Sequence, residues 1–369
     1  MPVPIETKPV EKKPGQSLSD IAFISRQVIK FGAIGIVLLI VGRVALNTSV
    51  SIWKSLNPPK PPPPTIGFGV LPPLAFPASN YDLNTITLQT RTGGFELRVP
   101  EALPVYAFIP QALSLLSVNR ATQRAAALGF AFTPEEISPT AYRWRRNSPI
   151  PSTLDLNIVT SSFEIQSDWA SNVNLLNPTN LPQQNAAIAS TRGLLQSADL
   201  LPADMATGEA KVVFLRALGT EFQPALSASD AEFVQVDLFR TRLFGEFPVF
   251  RDNPLQGNAR FVYSGGSSRT SVVVEASFQA NPIDYSRYET YPVIPVEQAW
   301  QQLQSGKGFV ANLDPFVRDV IVRNVFLAYY DGSEDQQFLQ PIYVFTGDRN
   351  FYGYVPALAS LTPQSESSQ

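Results

Sequence analysis

The chain contains a long uncharged and apolar run, FGAIGIVLLIVG, from Phe31 to Gly42. Such a run is too apolar for a solvated helix surface, and about 20 mainly apolar residues make a helix long enough to cross a bilayer. Arg43 interrupts the pattern, but an arginine near the end of a span can extend its guanidinium to the headgroups. We therefore predict a transmembrane span over residues 31–50, with the anchoring residues Phe31, Ile36, Leu38, Leu39, Ile40, Arg43 and Trp53.

Positive charge is unequal on the two sides of this span. The cations before it are Lys8, Lys12, Lys13, Arg26 and Lys30, and those shortly after it are Lys54 and Lys60. Because cytoplasmic flanks carry the excess of Lys and Arg, we expect a cytoplasmic N-terminus, and a C-terminal domain outside the plasma membrane. Two alternatives remain open: a buried helix of a soluble protein, and a cleaved signal peptide.

The segments around the span have distinct compositions. Residues 1–16 are polar and interrupted by prolines, which predicts a disordered cytoplasmic tail. Apolar residues at helical spacing then predict a helix over residues 17–55 that includes the span. Prolines dominate from Pro58 to Pro64 and favour an extended rod, so residues 56–79 are predicted to be a tether. A ligand for a proline-binding groove is the alternative.

The chain has no cysteine and no histidine. Zinc sites built on thiolate or imidazole, Ser-His-Asp and Cys-His nucleophiles, and disulfides are thereby excluded within this chain. With 28 Lys+Arg against 31 Asp+Glu, the net charge of −3 gives no broad positive field for a phosphate backbone. We expect no cofactor, no metal site and no nucleic-acid partner.

Beyond the tether, alternating runs with short connections predict an α+β fold of antiparallel-sheet modules with packed helices. A first module is predicted over residues 80–180, with a helix from Ala112 to Leu128. A second module is predicted over residues 181–358, with helices at 181–197 and 208–218, a hairpin at Gly265-Gly266, and a helix between Pro295 and Gly306. Residues 359–369 are predicted to be a disordered tail.

Two sets of residues resemble known families. Val105-Tyr106, Leu128-Gly129-Phe130, Tyr142-Arg143-Trp144 and Leu154-Asp155-Leu156 resemble the helix-and-strand module of PepSY-like extracytoplasmic domains. The second half resembles the C-terminal lobe of YycH/YycI-type membrane-anchored regulators in its spacing of Val296, Gln298-Ala299-Trp300, Leu303, Gly306, Val325–Tyr330, Gln340-Pro341, Tyr343, Phe345 and Gly347. The resemblance implies an outer domain that binds a partner and has no catalytic activity.

Aromatic residues are dense near the C-terminus. Strand alternation turns about half of them away from a core unless a second layer covers the other face. Aromatic side chains are also enriched at binding hot spots. The predicted partner-binding residues are therefore Tyr329, Tyr330, Tyr352 and Tyr354.

Two charged segments have simpler interpretations. YRWRR, from Tyr142 to Arg146, could contact a polyanion, but its period of two favours an amphipathic strand. Asp331, Glu334 and Asp335 could bind calcium, but the spacing of a dedicated loop is missing, which favours a solvated turn.

These patterns favour a single-pass membrane-anchored protein that binds a protein or envelope partner in a regulatory or envelope-assembly role, and not an enzyme. Two alternatives remain open. One is a carboxylate-based hydrolase of cell-envelope glycan, which needs only two facing carboxyl groups. The other is a structural subunit of a cell-surface assembly. The sequence predicts no oligomeric state.

Overall fold

The computed structural model describes Arg43 and residues 63–79, 81, 83–176, 180–265 and 272–360. From Pro63 onward these residues belong to one compact unit. No helix in this described part is long and apolar enough to cross a membrane. The predicted tail 1–16 and the predicted span, apart from Arg43, lie outside the described residues, as do Trp53 and residues 361–369.

The secondary structure alternates between short strands and a few helices. In chain order the elements are β1 (Thr85–Leu88), β2 (Ala102–Phe108), α1 (Ser117–Ala127), β3 (Glu135–Ser138), β4 (Ala141–Arg146), β5 (Ser152–Asn157), β6 (Phe163–Ser167), α2 (Val173–Leu176), α3 (Gln184–Ser197), α4 (Ala203–Ala206), β7 (Ala210–Leu218), β8 (Glu221–Pro224), a 3-10 turn (Ala228–Asp230), β9 (Phe233–Leu238), β10 (Val249–Phe250), β11 (Ala259–Ser264), β12 (Val272–Phe278), β13 (Ile283–Pro292), α5 (Val296–Gln304), β14 (Phe309–Asn312), β15 (Asp319–Tyr330), β16 (Phe338–Gly347) and β17 (Phe351–Pro356).

Nine strands form one antiparallel sheet in the order β3-β4-β5-β6-β12-β11-β9-β7-β8. Helices α1 and α3 pack on one face of this sheet. Ala121 and Ala125 of α1 and Leu195 of α3 belong to the same buried cluster as Trp144 and Phe261 of the strands. The helices remove this apolar face from water, and that burial stabilises their packing on the sheet.

The opposite face of the nine-stranded sheet carries a row of polar side chains at one level. Strand pairing places these residues side by side: Glu135, Arg143, Asp155, Glu164, Ser277, Arg260, Asp237 and Lys211. Arg143 contacts Asp155 at 2.6 Å, and Arg260 contacts Asp237 at 2.8 Å. Opposite charges across neighbouring strands favour this register, because a slip of one residue would turn the row toward the helices.

The second sheet has eight strands. Its main order is β1-β15-β16-β17-β14, with β2 between β16 and β13, and β10 beside β15. β1 and β10 run parallel to β15, and the other pairs are antiparallel. On one face, Ala299 and Leu303 of α5 pack against Phe345. On the other face, Leu74 and Phe76 pack against a buried cluster that includes Tyr330 and Tyr354.

The structure confirms the α+β class with mainly antiparallel sheets. The helix predicted before Gly306 is present as α5, and Gly306 has the positive φ of 73° expected just after a helix end. The helix predicted over residues 208–218 is wrong. That segment is β7, because Val212, Val213 and Phe214 favour a strand and β9 offers it an antiparallel partner. The helix predicted from Ala112 begins later, at Ser117.

The sheets do not divide the chain at residue 180, where the sequence placed a module boundary. β6 ends before residue 180, yet it pairs with β12 in the nine-stranded sheet. The predicted hairpin strands β11 and β12 do pair, while most of their connection lies outside the described residues.

The described part of the predicted tether, residues 63–79, packs against the globular unit. The Ile66 N–H donates to the Thr290 carbonyl at 3.1 Å, and the Tyr291 hydroxyl donates to the Gly69 carbonyl at 3.0 Å. The Gln340 amide donates to the Pro72 carbonyl at 3.0 Å. This stretch is therefore an integral layer of the domain, because its backbone carbonyls and N–H groups are held by distant parts of the chain.

Candidate functional site

The four tyrosines predicted to bind a partner lie mostly in the interior. Tyr329, Tyr330 and Tyr354 are fully buried, and only Tyr352 is partly exposed. Neither Tyr329 nor Tyr330 faces water, because side chains cover both faces of the sheet at this point, which is the exception that strand alternation allows. Their hydroxyls are satisfied inside the protein, since Tyr329 donates to the Pro104 carbonyl at 2.8 Å and Tyr330 donates to Asp252.

Phe76 is the physical reason for the burial of Tyr330 and Tyr354, whereas Tyr329 is buried in a separate cluster with Tyr106 and Leu339. The Phe76 ring lies 4.8 Å from that of Tyr330, 6.5 Å from that of Tyr354, and stacks on Phe309 at 5.2 Å. The segment before the sheet thus supplies the second layer over a face that strand alternation alone would leave open.

The exposed aromatic side chains of interest lie elsewhere on the same unit. Phe244, Tyr285 and Tyr288 are 67%, 42% and 53% exposed, and we name these three residues the aromatic surface. A series of ring contacts connects them through the core: Phe244–Phe247 at 6.3 Å, Phe247–Tyr329 at 6.3 Å, Tyr329–Tyr106 at 6.2 Å, and Tyr106 to Tyr285 and Tyr288 at 5.6 and 5.7 Å. Buried rings therefore support the exposed ones.

Phe244 is held in a backbone conformation that disfavours its side chain. The Glu246 N–H donates to the Leu243 carbonyl at 3.1 Å, which closes a tight turn with Phe244 at φ 55° and Gly245 at φ 71°. Two successive positive φ values define a turn that glycine or asparagine occupies most readily, whereas a bulky residue there costs about 1–2 kcal/mol. The turn presents the phenylalanine ring to solvent at an energetic cost to the fold.

Tyr285 and Tyr288 are presented by a bulge in β13. Asp284 pairs with Ala107 and Tyr288 pairs with Tyr106, so residues 285–287 have no opposing residues on β2. A bulge twists an edge strand and blocks pairing with another chain. A partner at this edge would therefore meet side chains and not an open row of backbone groups.

A buried charge cluster lies directly under Tyr285. The Tyr285 hydroxyl donates to Asp204 at 2.7 Å, and the Arg240 guanidinium donates to the same carboxylate at 2.5 Å. Arg240 also donates to Asp331 at 2.9 Å and to the Asn281 carbonyl at 2.5 Å. Asp331 is only 2% exposed, so its interpretation as part of a solvated turn is wrong. The Asp331 side chain points into the protein because its carboxylate pairs there with the Arg240 guanidinium.

This charge cluster connects the two sheets and keeps both Arg240 and Tyr285 protonated. Arg240 follows β9 of the nine-stranded sheet, and Asp331 follows β15 of the eight-stranded sheet. Burial by itself lowers the pKa of Arg240, but the carboxylates of Asp331 and Asp204 outweigh it and raise that pKa. Burial and the charge of Asp204 raise the pKa of Tyr285, so its hydroxyl stays a hydrogen-bond donor at neutral pH.

Two glutamates share the polar face of the nine-stranded sheet. Glu164 pairs with Ser277, which makes Glu164 and Glu275 diagonal neighbours on that face, with Cα atoms about 7–8 Å apart. Both line a cleft of about 500 Å³. Burial raises the pKa of Glu275, while the Trp169 indole N–H donates to its carboxylate at 3.0 Å and opposes that rise.

The strand YRWRR, β4, alternates as expected in part. Trp144 is buried and Arg145 is exposed, and the same alternation places the half-buried Arg146 on the side of Trp144, where the prediction placed no charged residue. Among the described residues, no group of three acidic side chains is arranged to hold a metal ion.

Comparison with known proteins adds little at this point. No family model matches the chain, and no curated protein does either. Among solved structures, an uncharacterized protein from Eubacterium rectale ATCC 33656 is similar over 71% of this chain and 85% of that one, with 10% sequence identity and a TM-score of 0.34.

The aromatic surface was not predicted from the sequence. Gly245, in the sequence Leu243-Phe244-Gly245-Glu246-Phe247, is a turn signal that could have indicated one of its members. Tyr285 and Tyr288 sit in DYSRYET, whose aromatic residues are three apart and so do not follow the alternation of a strand.

Proposed function

We propose that this chain is a single-pass membrane-anchored protein whose outer domain binds a protein partner in the cell envelope, without catalysis, through the aromatic surface. The observation that carries the proposal is Phe244. A strained turn that presents an exposed aromatic ring is destabilising, and such strain concentrates at functional sites. The anchor is supported by the apolar run at residues 31–42 and by the cations before it.

The partner expected here is a protein with apolar pockets that accept ring side chains. Exposed aromatic side chains supported by buried ones lose little conformational entropy on binding, and they are enriched in interface hot spots. Arg287 lies on the same bulge with its guanidinium 5.7 Å from the Phe68 ring, and it adds a cation to the rim. Rim charges set orientation and association rate more than affinity.

Location and surface can be tested together because the chain has no cysteine of its own. Glu246→Cys places a thiol beside the aromatic surface, and Ser229→Cys places one on the exposed 3-10 turn Ala228–Asp230. On intact cells, a membrane-impermeant maleimide should label Ser229→Cys strongly and Glu246→Cys weakly, while the two purified proteins react equally. Protection at residue 246 reports the bound partner.

Adding Phe244→Asn to Glu246→Cys should restore labelling on cells. The asparagine also relieves about 1–2 kcal/mol of backbone strain, so the free energy of unfolding should not fall. Equal labelling of both cysteines on intact cells would show an uncovered surface and refute the partner site. Labelling of neither until lysis would refute the outer location.

A hydrolase of cell-envelope glycan is the second candidate, favoured by Glu164 and Glu275. As diagonal neighbours on the polar face they line one cleft, which a pair of glycosidase carboxyl groups requires, and the raised pKa of Glu275 suits a general acid. If this candidate is right, the protein releases reducing ends from purified envelope glycan, and Glu275→Gln lowers that rate at least about a hundredfold. Glu135→Gln, on the same face but at the sheet edge, serves as the control. Absence of any release by the unaltered protein, or release that survives Glu275→Gln, counts against it.

A further inference from the structure

A second cleft lies on the helix-covered face of the nine-stranded sheet, away from the aromatic surface. It has a volume of about 790 Å³ and opens between the end of α1, the face of α3 and the strands below. Its walls are mainly apolar and include Leu128, Ile165, Leu181, Leu194, Phe261 and Val273. A cleft of this size and composition is suited to a small apolar or amphiphilic molecule.

Arg146, at the end of β4, is the charged residue that lines this cleft. Its guanidinium lies 4.5 Å from the Phe130 ring, and its Nη2 donates a long hydrogen bond of 3.4 Å to the Val273 carbonyl. The buried Nε has no hydrogen-bond partner among the described residues. Burial lowers the pKa of Arg146, and no neighbouring carboxylate in the described part of the chain opposes this.

The other two arginines of β4 are paired. Arg143 contacts Asp155 at 2.6 Å and Arg145 contacts Glu135 at 3.0 Å. Arg146 differs because it turns toward the helices, where the adjacent side chains are apolar. Gly129, at φ 90° just after α1, makes room for it, since a Cβ there would lie 2.9 Å from Nη1 of Arg146. Arg146 is thus a cation for which the described residues supply no counter-charge.

We propose that this cleft binds an amphiphile with a carboxylate head and a long hydrocarbon chain, as in a fatty acid. The carboxylate accepts hydrogen bonds from the Arg146 guanidinium, whose planar fork matches two carboxylate oxygens. The hydrocarbon chain lies along the apolar walls between α1 and α3. Binding compensates a partly buried charge that the described residues leave unpaired, which favours a carboxylate over a neutral head group. This site is independent of the partner surface proposed above.

The test uses the full chain in lipid nanodiscs and a diazirine-bearing palmitic acid as the probe. Photolysis should attach the probe to peptides of α3 and β11. Palmitic acid should compete at least about tenfold better than hexadecanol, because only the carboxylate forms charge-assisted hydrogen bonds with the Arg146 guanidinium. Arg146→Gln should reduce labelling by a similar factor, whereas Arg145→Gln, on the neighbouring exposed arginine, should leave it unchanged.

A second variant protects the test against misfolding. Ser190→Phe places a bulky ring in the cleft from an exposed position of α3 and leaves residue 146 unchanged, and it should also abolish labelling. Labelling of each variant is compared with that of the unaltered protein, and the thermal unfolding temperature of each variant must be unchanged. Labelling that persists in both, equal competition by hexadecanol, or attachment outside the cleft would overturn the proposal.

Discussion

Asp331→Ala is expected to destabilise the domain by about 3–5 kcal/mol, which is a large part of the stability of a typical domain. Arg240 and Asp331 are 1% and 2% exposed, so water cannot replace the lost carboxylate. The substitution also removes the acceptor for the side-chain amides of Asn258, at 3.0 Å, and Asn281, at 2.8 Å. The measurement is urea unfolding of the full chain followed by tryptophan fluorescence.

The matched control is the exposed pair of Arg323 and Asp348. These side chains contact at 2.6 Å, closer than the 2.9 Å of the buried pair, but they are 46% and 47% exposed. Asp348→Ala should therefore change the unfolding midpoint far less, because solvent screens the remaining arginine. Equal losses for the two substitutions would mean that the buried cluster does not join the sheets. Replacing the buried charges together, as Arg240→Met with Asp331→Leu and Asp204→Asn, should recover part of the loss, since neither an unpaired arginine nor an unpaired Asp204 carboxylate remains.

Phe76→Ala is the second substitution with a large expected effect, a loss of about 2–3 kcal/mol. Full burial of a phenylalanine would predict about 3–5 kcal/mol, and Phe76 is only partly buried. Its ring covers Tyr330 and Tyr354, so the variant should also open these tyrosines to solvent. Urea unfolding gives the first quantity, and hydroxyl-radical footprinting of the two tyrosines gives the second.

Val70→Ala is the control for this experiment because Val70 belongs to the same segment but is 59% exposed. It should alter neither the unfolding free energy nor the footprint. Unchanged protection of Tyr330 in Phe76→Ala would contradict the view that residues 63–79 form a layer of the domain. It would instead favour the sequence-based interpretation of this stretch as a spacer.

Aromatic residues in this chain fall into two groups, one buried in the core and one exposed. The buried tyrosines of β15 and β17 have rings in the core and hydroxyls on internal acceptors, so they stabilise the fold. The residues of the aromatic surface are exposed by a strained turn and a bulge. Density of aromatic residues in the sequence predicted Tyr329, Tyr330 and Tyr354 as exposed partner-binding residues, but all three are buried.

The sequence by itself determined the local pattern. Period-two alternation in segments such as TLDLN and FEIQS specified half-buried strands, and the glycine at residue 306 marked a helix end. Absence of cysteine and histidine excluded whole classes of chemistry in this chain before any fold was known.

Only the tertiary structure decided which faces are covered and which charges are paired. Tyr330 is buried by Phe76, which lies far away in sequence, and Asp331 is drawn inward by Arg240 of the other sheet. Arg146 and Arg145 are adjacent in one strand, yet one lines an apolar cleft and the other pairs with Glu135. Alternation tells only that two side chains point to opposite faces. Distant segments of the chain decide whether each face of a strand is covered. The burial, exposure and pKa of each side chain on that face follow from this covering.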